Sequence, residues 1–96
     1  MEMFDPPHPG LSIKDELEEL GIPVAAAAKS MGVTRQQLYR VMRGECAITP
    51  EMAVRLEKSI GGAARLWLAM QASHDLWHLK RAKLKPAPRK IVSKAA

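Results

Sequence analysis

Little in this chain of 96 residues marks an enzyme, a disulfide-bonded secreted domain or a membrane protein. Cys46 is the sole cysteine, which rules out an internal disulfide and makes a reducing cytoplasm the expected setting. No apolar run is long enough to span a bilayer, and the N-terminus lacks the basic, apolar, small-residue order of an export signal. No stretch alternates apolar and polar residues long enough to read as a strand, so an all-α fold is expected. A nucleophile elbow, a phosphate loop and paired catalytic acids are all missing, so neither enzyme nor cofactor is predicted. His8, His74 and His78 have no metal-ligand spacing among themselves or with Cys46. His74 and His78 stand four apart, yet no acid completes a His-Glu-x-x-His motif, and no metal is expected.

Bases are scarce at one end and acids at the other. Residues 1–22 hold six acids and one base, a net of −5; residues 23–60 carry +3, and residues 61–96 carry +7 with Asp75 as their one acid. The overall +5 suits a polyanion partner, while the segregation suggests two partners of opposite charge. Residues 1–8 read as a proline-rich irregular arm, residues 9–79 as one helical domain, and residues 80–96, with seven bases and two prolines, as a disordered basic tail.

Five helices are predicted. The first begins at Pro9 or Ser12 and ends at Leu20, with Ile13, Leu17 and Leu20 on one face and Gly21 as its stop. The second, Pro23 to Met31, is alanine-rich and allows close helix approach. The third runs from Arg35 to Arg43 before Gly44. Thr49-Pro50-Glu51 opens the fourth with an N-cap, a first-turn proline and a dipole-favoured acid. Gly61-Gly62 separates it from a fifth, Ala63 to Leu79.

The segment from Ala28 to Arg43 carries the functional signal. Ala28 is small where helices cross, Gly32 tolerates the left-handed turn, and Val33, Leu38 and Val41 seat the following helix. Thr34 and Gln37 have capping-box spacing. Arg35, Gln36 and Arg40 then face outward as candidates for base edges, and Thr34, Tyr39 and Arg43 as candidates for phosphates. Lys29 and Arg55 read as surface charges.

Trp67, Met70, His74 and Trp77 share a stripe of the fifth helix. Trp67 is expected in the core, and Leu76 with Trp77 in a dimer interface, since two DNA half-sites require a dimer. In the acidic first helix, Asp15 and Glu16 near the start suit the dipole, while Glu16, Glu18 and Glu19 are also candidates for docking a basic partner.

With these helices placed, residues 8 to 77 resemble the HigA-type antitoxins, a branch of the lambda-repressor-like helix-turn-helix proteins. The resemblance is carried by His8-Pro9-Gly10, Asp15-Glu16-Leu17-Glu18-Glu19-Leu20-Gly21, Gly32-Val33-Thr34-Arg35-Gln36, Ile48-Thr49-Pro50-Glu51-Met52-Ala53, Trp67-Leu68 and Asp75-Leu76-Trp77. It implies a dimeric repressor that binds operator DNA of its own operon. It also implies a small basic toxin as partner, a HigB-like ribosome-dependent mRNA endonuclease. Two positions depart from the family pattern. Pro23-Val24 replaces the usual Ser-Gln, removing a glutamine that contacts phosphate in the wider superfamily, and Tyr39 replaces a small residue. The alternatives are a solitary repressor without a toxin and an adaptor that no longer binds DNA.

Overall fold

A computed structural model describes residues 5–92. Among them, five helices and no strand occur: α1 (Gly10–Leu20), α2 (Val24–Met31), α3 (Arg35–Met42), α4 (Pro50–Ser59) and α5 (Ala64–Arg81). None of these helices is long and apolar enough to cross a membrane. Ile13 and Leu17 of α1, Ala27, Ala28 and Met31 of α2, Leu38 and Val41 of α3, Ala53 and Leu56 of α4, and Trp67 of α5 meet in one core. α1 packs on α3, α2 on α3 and α4, and α5 on α4.

Helix ends follow the local chemistry. Gly32 sits at φ 74°, and its N–H donates to the Lys29 carbonyl while that of Val33 donates to Ala28. Both bonds serve carbonyls that the end of α2 leaves free. Thr49 caps α4 by accepting from the Met52 N–H at 3.2 Å, and Pro50 occupies its first turn. No side chain at Ala63 can cap α5, so Glu57 reaches across from α4 and accepts from the Ala64 N–H at 3.0 Å. α5 outruns its expected end at Leu79. Arg81 donates to the Trp77 carbonyl at 3.0 Å and lies over the Trp77 ring at 3.8 Å, which serves a last-turn carbonyl and extends the helix. From Ala82 to Val92 the chain is exposed and without helix; residues 93–96 of the tail and 1–4 of the arm lie outside the described residues.

Residues 5–8 of the arm form no helix but are fixed where they meet the domain. Pro9 precedes α1 without a capping side chain, and His8 takes that role: its Nδ1 accepts from the Gly10 N–H at 3.0 Å. Gly10 in turn rests on α3 so closely that a Cβ would collide with the Val41 carbonyl oxygen. The His-Pro-Gly sequence is therefore a seat that sets α1 against α3.

Two expectations need correction. Because α1 starts at Gly10, its first turn holds no acid; Asp15 lies mid-helix, and Glu18 and Glu19 stand at the negative end with no base in the last turn. The dipole opposes these charges rather than favouring them. Arg55 is not a free surface charge either. Its Nη1 donates to the Met31 carbonyl at 2.8 Å, while Nε and Nη2 hold Glu51 at 3.1 and 3.0 Å. Together with the bond from the Ser59 hydroxyl to the Ser30 carbonyl, this clamps α4 to the end of α2.

Candidate nucleic-acid interface

α3 is short, and its N-terminus is tightly defined. The Thr34 hydroxyl accepts from the Gln37 N–H at 3.0 Å, and Gln37 Oε1 accepts from the Thr34 N–H at 2.9 Å. This reciprocal cap satisfies two N–H groups at the helix start. It also commits the Thr34 hydroxyl, which lies 3.3 Å from Gln37 Oε1, to the protein itself. The first-turn N–H groups of Arg35 and Gln36 follow this cap.

Leu38, Val41 and Met42 face the core, so the helical period turns Arg35, Gln36, Tyr39 and Arg40 to solvent, with Arg43 just beyond. Thr34, Gln36, Gln37, Tyr39, Arg40, Arg43 and the acid Glu45 line one hollow of about 530 Å³. Arg35 is exposed but stands outside this hollow. Arg43 packs over the Tyr39 ring at 5.4 Å, which pairs two of the phosphate candidates. Among the described residues, no carboxylate forms a salt bridge with Arg35, Arg40 or Arg43. The surface can thus offer guanidinium forks, an amide and a phenol to an anionic partner without first breaking internal ion pairs.

The other candidates are distributed differently. Glu16, Glu18 and Glu19 are exposed on α1, whose Gly10, Ile13 and Leu17 turn inward. Leu76 is 53% exposed, in line with exposed Leu66 and Ala69 along α5. Trp77 is not beside it in the same sense. It is partly buried, covered by Arg81 and edge-on to His78, with its Nε1 shut from water and unpartnered among the described residues.

Gln71 was not singled out from sequence. It is buried, accepts from the Ile48 N–H at 2.8 Å and donates to Asp75 Oδ1 at 3.0 Å. It fixes the loop between α3 and α4 against α5, and so supports the end of α3 from behind. Its only sequence signal is its place one turn after Trp67.

The geometry matches known proteins closely. The helix-turn-helix family profile matches residues 13–66, which include all of α2, α3 and α4. Virulence-associated protein A' of Dichelobacter nodosus is 44% identical over 75 residues, 77% of this chain; the chain spans 65% of that relative's length. A structure from Nostoc punctiforme, assigned as an antidote protein of a plasmid maintenance system, superposes with a TM-score of 0.76 at 41% identity, covering 79% of this chain and 84% of that one. Antitoxin HigA of Pseudomonas aeruginosa, solved with the higBA promoter, gives 0.76 at 30% identity and covers 84% and 89%. The chain is therefore a member of the lambda-repressor-like helix-turn-helix family, among relatives that include HigA antitoxins and plasmid-maintenance antidotes.

Proposed function

We propose that this chain is the antitoxin of a type II toxin–antitoxin pair, binding operator DNA as a dimeric autorepressor and neutralising a small basic, HigB-like mRNA endonuclease. The observation that carries the DNA half is the capped, outward basic face of α3. A fork of Arg35 or Arg40 can hold a guanine O6 and N7, and the Gln36 amide an adenine N6 and N7. Tyr39 and Arg43 contact phosphates, which set register without reading sequence; Thr34 contributes there through the helix start rather than its engaged hydroxyl. The relative with its promoter supports this reading, since its fold is shared over most of the chain.

The dimer is assigned to α5. Its Trp67 and Gln71 serve the core, while Leu66, Ala69, Ser73 and Leu76 form a row on another side. Leu66 and Leu76 are 55% and 53% exposed, a cost that a second copy would relieve. The toxin is assigned to α1. Glu18 and Glu19 weaken their own helix through the dipole, and with Glu16 they offer an exposed acidic face to a cationic partner.

Separation of the two activities tests the proposal. Changing Arg35, Gln36 and Arg40 together to alanine abolishes operator shift and leaves growth rescue from the co-expressed toxin intact. Reversing Glu16, Glu18 and Glu19 to lysine slows toxin association, measured by surface plasmon resonance. A triple alanine variant that is folded and fails to rescue would place both partners on one surface. Absence of any toxin gene product bound on co-purification would leave a solitary repressor.

A further inference from the structure

The last two turns of α5 meet the arm through a cluster away from the outward face of α3. His74 and His78 stand one turn apart on the helix, and Asp5 comes to them from the other end of the chain. One ligand atom from each of these three residues lies within 4.8 Å of the other two. His78 Nε2 is 3.3 Å from Asp5 Oδ1. His74 Nδ1 is 2.8 Å from the Pro6 carbonyl oxygen. A carbonyl can only accept, so His74 Nδ1 carries the proton and its Nε2 lone pair remains free. A backbone carbonyl that holds one imidazole nitrogen so that the other can ligate is the usual outer-shell arrangement of a histidine metal ligand.

We propose that Asp5, His74 and His78 form a zinc-type site that clips the arm to α5. Two imidazoles and a carboxylate are the donor set of borderline ions such as Zn²⁺, with a fourth position left to water. Ligand atoms bound at about 2.0–2.2 Å in a tetrahedron stand about 3.3–3.6 Å apart. Reaching that spacing requires the side chains to rotate, and those of Asp5 and His78 are half-exposed. His8 is near, with its ring 5.1 Å from that of His74, but it is not a ligand. Its Nδ1 accepts from the Gly10 N–H, and the residue is buried. Spacing along the chain concealed the site because its carboxylate lies far from both histidines in sequence.

Zinc chloride titrated into the chelator-treated full chain, in competition with a chromogenic chelator, tests this. One ion binds per chain and raises the thermal midpoint in a concentration-dependent way. Asp5→Asn and His78→Gln each lower affinity at least about 10-fold, the lower end of what losing even an outer-shell partner costs. Neither change touches the core, so both variants keep the helical spectrum of the parent. Cys46→Ser binds as the parent does, and the cobalt-loaded protein lacks a thiolate-to-metal absorption band. The proposal is overturned if zinc does not bind, if Asp5→Asn and His78→Gln bind it undiminished, or if Cys46→Ser abolishes binding.

Discussion

At the scale of single residues, His8 shows how a surface arm is fixed by one neutral ring. Burial, and secondarily the nearby His74, lowers its pKa below the ordinary 6.5, against smaller opposing effects of Asp75 and the Cys46 backbone. The capping bond to Gly10 needs an unprotonated Nδ1, which agrees with that direction. The unfolded chain therefore binds the proton more readily than the folded one, and stability rises with pH through this window. The contribution is complete above 6.5 and is lost as pH falls through the lowered folded value. Urea unfolding between about pH 5 and pH 8, with chelator present, should show this slope. His8→Gln should flatten it; an unchanged slope would assign the effect to another group.

At the scale of elements, the helices were largely legible in the sequence because their signals are local. Thr34 with Gln37, Thr49 with Pro50, and Gly32 each act within a few residues, and the structure places α3, α4 and the turn where those signals stand. The outward row on α3 follows from the same helical period. What binds one element to another was not legible. Arg55 finds the Met31 carbonyl, Gln71 the Ile48 N–H and His74 the Pro6 carbonyl across 24, 23 and 68 residues. No periodicity encodes such pairs. Gln71 gives the sharpest test of these ties. Gln71→Leu keeps the volume apolar but leaves the Ile48 N–H buried and unpaired, and should cost about 1–3 kcal/mol by chemical denaturation. Its operator affinity at saturating folded protein should fall as well, because the loop following α3 loses its anchor.

At the scale of the whole molecule, the charge segregation read along the sequence becomes a division of surfaces. Acids cover the sides of α1 turned from the core, and bases cover α3 and the chain beyond α5. Leu66, Ala69 and Leu76 lie exposed along one row of α5. Leu76→Glu should give a monomer by light scattering and a large loss of operator affinity, since two linked half-site contacts become one. A dimer that persists in Leu76→Glu would move the interface off α5.

The contact between Gly10 and the Val41 carbonyl has a consequence for communication between those surfaces. A joint with no room for a methyl group brings the backbones of the first and third helices into direct contact and leaves little slack between them. On the proposed function, a protein that grips α1 acts on operator binding through added field or through obstruction of the duplex rather than by reshaping α3. Those routes are distinguishable by salt: a field effect fades as ionic strength rises, and obstruction does not. If both proposed partners bind, linkage makes the coupling symmetrical: operator DNA changes the affinity of α1's partner by the same factor by which that partner changes operator affinity.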